Sequence, residues 1–351
     1  MITREQAQQY AELIERIGDA QVESLRAGLT LADPDQQLAR LVARYREDGI
    51  ALVLGAGVSA AAGVPTWRPL MNALLIGAMT ETLGVAPESA TLLAQIYSRA
   101  ISESAPVQAR YLSNMLSKSA FVERLRDNIY QRVEPGLTSP MLRAIALLCQ
   151  MRESVPGGVK EVITYNFDVL LEEALTSMGR AHTVVDRDSF IPGTDLPIRH
   201  VHGWLARQPD AREWIVFGED EFHEKFADPF DWSNVVQLNA FSQRSCLFVG
   251  LSMQDVNLRR LLDAVSKRRA GASPQHFVLL PRTTDDALRD AVGSVFDWRE
   301  HDDPDLVRRL RWLRELADFS KQQVLLELGV STIWFEGFEQ LPGLVERVRD
   351  C

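Results

Sequence analysis

The stretch "VLGAGVSAAAGVPTWR", Val53–Arg68, ends an apolar run and turns at once into Gly and Ala residues, then a Pro and a Trp. Small residues remove side chains where something else must come close. A ligand, a neighbouring helix or a membrane-embedded partner would each satisfy that need, and the remainder of the chain decides among them. With its preceding residues the stretch reads "GIALVLGAG", a buried strand breaking into a glycine turn.

Gly49 to Trp67 carries no charge, and its length approaches the roughly 20 residues that span a bilayer. Its strongly apolar part is only Ile50–Leu54, however, and Gly49, Gly55, Gly57, Gly63 and Pro65 interrupt it. A strand and turn fit better than a membrane span. The N-terminus, "MITREQAQQYAELIERIGDA", lacks the basic-then-apolar layout of a secretory signal, so a cytoplasmic protein is expected.

The 351 residues suffice for one large α/β core or two smaller domains. An apolar fraction of 46% with 25% charged residues sets aside the disordered and fibrous classes. Thirty-eight basic against 48 acidic residues give a net charge of −10, which argues against general binding to a phosphate backbone, although "SKRR" at 266–269 is a local basic patch. The three cysteines, Cys149, Cys246 and Cys351, are widely separated. They make no CxxC and are too few for a four-cysteine zinc site.

Near the N-terminus, Tyr10, Leu13, Ile14 and Ile17 recur at helical spacing, a stripe expected to pack on the body of the protein or on a second subunit. "ADPDQQLARLVARYREDG" reads as a helix with Asp33 as N-cap, Pro34 in the first turn and Gly49 beyond the end. Pro69 opens a further helix to about Leu83, and the chain stays helical to about Gln150. After "PGG" at 156–158 strands and helices alternate: "KEVITYNF", "DVLLEEALTSMG", "LPIRHVHG", "EWIVFG", "SCLFVGLS", "DVNLRRLLDAVSKRR", "QHFVLLPR", "VSTIWFE" and "EQLPGLVERV". This order is that of an α/β fold, a parallel sheet wrapped by helices.

Ligands of such sheets sit beyond the carboxyl ends of the strands. Gly55–Ser59, Asn166 with Asp168, His202, and Gly250–Ser252 each follow a different strand, so four polar or glycine-bearing ends converge on one edge. The glycine turn brings backbone N–H groups close to a pyrophosphate at a helix N-terminus, or is a packing turn; its G-x-G-x5-G spacing departs from the dinucleotide fingerprint. Asp168 reads as a helix N-cap or a site carboxylate, Asn166 as a turn former or a site amide. His200 and His202, two apart, would share one strand face, but no third metal ligand with suitable spacing accompanies them.

Taken together, "GAGVSAAAGVPTWR", "TYNFD", "HG" and "VGLSMQDVNLRR" occur in the order found in sirtuin-type NAD-binding domains. The chain most resembles the bacterial sirtuin-like NAD hydrolases of antiphage defence, over about residues 48–281, with a last familial unit in "VSTIWFEGFEQLPGLVERV". The resemblance implies a Rossmann-like catalytic domain over residues 49–351, with an all-helical insertion at about 69–150 and N-terminal helices over 1–48. Under it, Gly55, Ala56, Gly57 and Ser59 would hold the NAD+ pyrophosphate, and Pro65, Trp67 and Arg68 would line a loop over the nicotinamide ribose. Asn166 and Asp168 would sit at the nicotinamide end, His202 would be the catalytic histidine, and Gly250 and Ser252 would face the adenosine half. Asp255 and Asn257 are weaker candidates on the next helix.

Two departures from the deacylase pattern stand out: Thr66 replaces an acidic residue, and the zinc cysteines are missing. The expected activity is therefore NAD+ hydrolysis to nicotinamide and ADP-ribose with no zinc. An NAD-dependent protein deacylase and a non-catalytic nucleotide sensor are the alternatives. The aromatic stretch between "VHGW" and "SCLFVG", with Trp214, Phe217, Phe222, Phe226, Phe230 and Trp232, reads as core rather than peptide groove. A homo-oligomer is expected, with a motor ATPase, an Argonaute-like protein or a phage trigger as family-level partners, and neither membrane nor direct nucleic-acid binding.

Overall fold

A computed structural model describes residues 19–100, 105–136, 138–185, 193, 195–269, 275–296 and 311–350. The N-terminal stripe of Tyr10, Leu13, Ile14 and Ile17 lies outside the described residues. Nine strands are assigned among them: β1 Ile50–Leu54, β2 Val159–Thr164, β3 His182–Val185, β4 Leu196–His200, β5 Gly203–Trp204, β6 Trp214–Ile215, β7 Ser245–Val249, β8 His276–Pro281 and β9 Val330–Phe335. Seven of them form one sheet in the order β3-β4-β2-β1-β7-β8-β9, parallel at every pairing.

Both faces of the sheet are covered, and the alternation along β1 shows how. Ile50, Leu52 and Leu54 enter one apolar core, Ala51 and Val53 the other. Each large apolar side chain so buried contributes roughly 1.5–3 kcal/mol. The first face receives α1 (Pro34–Glu47), α2 (Trp67–Leu83), α3 (Pro87–Ala100), α4 (Ala105–Met115), α5 (Lys118–Tyr130), α6 (Pro140–Leu148), α7 (Leu170–Ser177) and α8 (Leu341–Asp350). The second receives α9 (Trp232–Gln243), α10 (Val256–Arg268) and α11 (Arg311–Glu327).

The helix starts follow local chemistry. Asp33 caps α1, accepting the Asp35 N–H, and Pro34 stands where no intrahelical N–H is needed. Leu38, Leu41 and Tyr45 of α1 belong to the same core as the sheet. Helix α2 begins at Trp67, two residues before Pro69, because proline is tolerated throughout a first turn whose N–H groups lack intrahelical acceptors.

Two strand readings are corrected, and one strand is added. "EWIVFG" adds nothing to the main sheet: β6 pairs only with β5, as an antiparallel ribbon. The strand of "LPIRHVHG" ends at His200, so His202 lies in the following turn and the two histidines share no strand face. β3, a short half-buried edge strand, carries no apolar run that marks it. The aromatic stretch is also mixed, since Phe217 is buried but Phe230 is 84% exposed; the side chain of Phe222 lies outside the described residues.

Among the described residues no single helix is long and apolar enough to cross a membrane. The uncharged run 49–67 is divided among β1, its turn and the first residue of α2.

Candidate functional site

The four strand ends do meet. β4, β2, β1 and β7 are consecutive in the sheet, and the pairings Leu54 with Thr164, Thr164 with His200, and Leu54 with Val249 set their last residues at one level. From β1 the chain moves to β2 on one side, and from β7 to β8 on the other. The edge between β1 and β7 is therefore the topological switch point, where open parallel sheets form their ligand crevice.

At that crevice the two glycine turns pack on each other. A Cβ on Gly57 would stand 2.8 Å from Gly250 Cα, and one on Gly55 would stand 2.5 Å from the Leu251 side chain. Gly250, at φ +70°, would meet Val58 N at 2.6 Å. The absent side chains thus make room for the neighbouring loop. The Gly55 N–H is donated to Val249, Gly57 to Gly250, Val58 to Gly55 and Ser59 to Ala56, all within the chain. The helix after the turn, Gly57–Ala60, has four residues, too short for a macrodipole of any size. Ala56 is exposed at the tip of the turn, and Ser252 is exposed on the facing loop.

Beneath the turn, on the first face, lies a buried polar group. Ser59 Oγ donates to Asp168 Oδ1 at 3.0 Å and accepts from Asn166 Nδ2 at 3.2 Å. Asp168 Oδ1 also accepts the Leu170 N–H at 3.2 Å. It is not the N-cap residue itself, which is Val169. Burial pushes the Asp168 carboxyl up to about 6, against the opposing hydrogen bonds from Ser59 and Leu170. Asn166 Oδ1 is buried with no hydrogen-bond partner among the described residues. The cavity lined by Ser59, Thr164, Asn166, Asp168, Glu172 and Leu142 measures about 10 Å³, the room of about one water molecule.

His200 points into this group and His202 away from it. His200, 1% exposed, places Nδ1 2.9 Å from the Asn166 carbonyl oxygen and Nε2 2.6 Å from Glu172 Oε1. His202 stacks edge-on against Tyr165, with ring centroids 4.8 Å apart, and its Nε2 lies 4.0 Å from Asp255 Oδ2. Burial lowers its proton affinity to about 4; Asp255 opposes the shift and Lys225 adds to it. The imidazole is therefore neutral across the physiological range.

The position of His202 is held by its backbone. Its carbonyl accepts the Val216 N–H at 2.7 Å, and Gly203 beside it is obligatory, since a Cβ there would stand 1.9 Å from the Trp214 carbonyl. On the other side, the Val201 carbonyl accepts Lys225 Nζ at 2.7 Å. Lys225 is buried on the helix Glu219–Ala227; Nζ also donates to Ser233 Oγ at 2.6 Å and faces the Trp214 ring. Lys225, Glu172 and Tyr165 are the residues that the motifs missed.

The remaining candidates divide. Asp255 both faces His202 and caps α10, accepting the Leu258 N–H at 2.7 Å. Asn257 is buried in a separate network with Asn234 and Arg260. Trp67 packs its ring 4.9 Å from that of Phe217, with Phe121 and Phe167 on the same partner, and its buried Nε1 has no acceptor among the described residues. Pro65 is half-buried and Arg68 exposed.

Residues 160–296 match the family model described as SIR2-like domain. The match runs from β2 through the helix after β8. It takes in Asn166, Asp168, His202 and the Gly250 loop, and stops short of β1 with its glycine turn. It supports a sirtuin-like family. No curated protein matches the chain.

Proposed function

We propose that this chain is an NAD+ glycohydrolase, cleaving NAD+ to nicotinamide and ADP-ribose with water as the acceptor. The observation that carries the reading is the buried triad Ser59, Asn166 and Asp168 at the carboxyl edge of β1 and β2, with the Asn166 amide oxygen unpartnered. In a segment matching a SIR2-like domain, such an amide suits a ligand hydroxyl or amide donor.

The chemistry asks little of an acid. The bond between C1′ and the nicotinamide nitrogen breaks with its electron pair going to the nitrogen, which neutralises the cationic ring. A water oxygen then bonds C1′ and gives up a proton. Asn166 would orient ribose hydroxyls or water beside C1′, and neutral His202 would accept the proton. Asp168, itself oriented by Ser59, would face the nicotinamide amide. The cavity beside Asn166 holds about one water, so it would have to widen for the nicotinamide end of NAD+ to reach Asn166.

Water is the proposed acceptor because the segment between β5 and β7 is spent on the β5–β6 ribbon and on packing. Trp214 contacts Trp232, and Phe217 sits inside the core. We also propose that activity is triggered through assembly, as a homo-oligomer or with a partner protein in antiphage defence. Leu92 and Ile96 on α3, more than half exposed, offer apolar area for it.

Incubating purified protein with NAD+ and resolving products by mass spectrometry tests the reading, with acetyl-lysine peptide present in a parallel sample. Nicotinamide and ADP-ribose with untouched peptide are expected. Deacetylated peptide with O-acetyl-ADP-ribose would replace the hydrolase by a deacylase.

A further inference from the structure

We propose that His200 and Glu172 form a proton-holding pair that positions Asn166 by gripping its main-chain carbonyl, so that loss of the pair's proton in alkali disengages the site amide. The inference rests on the role given above to Asn166, although its first test does not.

The argument is one of donors and acceptors. A carbonyl oxygen only accepts, so His200 Nδ1, 2.9 Å from the Asn166 oxygen, must carry a proton. Nε2, 2.6 Å from Glu172 Oε1, either donates to a carboxylate or accepts from a carboxylic acid. In both forms the pair holds two protons. With only one, a ring lone pair would face either the carbonyl or the carboxylate, and one of two buried contacts would become repulsive.

The surroundings favour keeping the proton. Burial alone would strip it from His200, but the Glu172 charge and hydrogen bond, the Asn166 carbonyl and the Asp168 charge outweigh burial and hold its proton affinity above that of an ordinary histidine. Ser59 and Thr164, which line the same cavity, are neutral hydroxyls. The neighbouring cation on β4, Arg199, is engaged by Glu161 at 3.1 Å, on the other side of the strand.

The consequence falls on Asn166. Its N–H donates to Thr164 Oγ1 at 3.1 Å and its carbonyl is held by His200, so both ends of the residue that carries the unpartnered amide are fixed. Neither His200 nor Glu172 need touch substrate; they are positioning residues.

The first test is side-chain 15N NMR of the full chain without NAD+. Two protonated His200 nitrogens are expected to predominate at pH 6.5, where an ordinary histidine is about half protonated. A single ring proton beside an ionised Glu172 at that pH overturns the proposal, whether or not the protein cleaves NAD+. The second test is Glu172→Gln, whose amide can donate to Nε2 and leave a neutral Nδ1–H tautomer gripping Asn166. Wild-type kcat/KM is expected to fall in alkali, and in Glu172→Gln that fall should move up by at least one pH unit or vanish. Superimposable pH profiles would mean that the pair is only structural. His200→Phe, which cannot grip the carbonyl, should lower kcat at least tenfold. Wild-type kcat in a folded His200→Phe protein overturns the positioning role, and the NMR result stands if that variant does not fold.

Discussion

His200 and His202 are two residues apart, the first buried and the second partly buried, and their proton affinities are shifted in opposite directions. His200 faces a carboxylate and a carbonyl on the first side of the sheet, and is held above the ordinary histidine value. His202 lies past the strand end beside Tyr165, with Lys225 near it, and falls to about 4. Burial disfavours the charged form in both cases, so burial does not distinguish them. What distinguishes them is how closely a carboxylate engages the ring: Glu172 of α7 hydrogen-bonds His200 at 2.6 Å, whereas Asp255 stands 4.0 Å from His202, too far to offset burial, and Lys225 of the helix Glu219–Ala227 adds a smaller opposing charge. One histidine is thereby fitted to hold a proton and the other to accept one.

The largest effects should come from the groups on which the two sides converge. Asn166→Ala removes the amide while leaving the main-chain contacts to His200 and Thr164 available. NAD+ cleavage is expected to fall by roughly 100-fold or more, with a circular dichroism spectrum like that of wild type. A variant cleaving at the wild-type rate would strip Asn166 of its role. His202→Ala should cost activity on the same scale, whether the acceptor is water or lysine. It should also flatten the acid side of the stability profile: His202 titrates near 4 in the fold against about 6.5 in an unfolded chain, so it contributes stability above about pH 6.5 that is lost as pH falls through 4. Urea denaturation of both proteins between pH 7 and 4 measures that difference.

Much of this arrangement was legible in the sequence, for identifiable reasons. The strand ends converge because parallel strands bring their carboxyl ends to one edge, and the cap at Asp33 with Pro34 marked α1 unambiguously. The histidine pair was misread because the period-two rule applies only within a strand, and β4 ends at His200. Lys225 was missed because "EDEFHEKFA" is read through its phenylalanines, and a lysine among acidic residues gives no sign of burial. Only the fold shows that its lysine turns inward to the Val201 carbonyl. The glycines were legible as close-approach positions, but the sequence could not say that the thing approaching Gly57 is Gly250.

Lys225→Met should narrow the contrast between the histidines slightly, because burial, not Lys225, is the main cause of the low His202 value. The Val201 carbonyl, Ser233 and Asp231 lose a shared buried cation, and a stability loss of about 2–4 kcal/mol is expected in chemical denaturation. With the positive charge gone, His202 should titrate closer to an ordinary histidine. The acid limb of kcat/KM then moves up in pH, because a protonated imidazole cannot accept a proton. An unmoved limb in a folded variant would mean that burial alone sets the state of His202.

Asp168→Asn should have the smallest effect on stability and should act on the His200 side alone. Burial raises the Asp168 carboxyl from 3.8 to about 6, so the folded state is penalised for holding it ionised. That penalty is absent below about pH 4, grows as pH rises through 6 and is complete above it. An asparagine keeps an oxygen acceptor for Ser59 Oγ and for the Leu170 N–H, the two bonds that Oδ1 now accepts, while removing the charge. The variant should therefore be more stable than wild type at pH 8, by at most about 3 kcal/mol for a shift of about two units, and the gain should shrink toward nothing by pH 4. Removing the Asp168 charge also takes away one of the influences that keep the proton on His200, whose titration should move down, while that of His202 should stay in place. Melting curves at pH 4, 6 and 8 with histidine NMR read both. A gain that is constant with pH would assign the effect to packing, and a shift of both histidines together would show that the two sides of the sheet edge are one electrostatic environment rather than two.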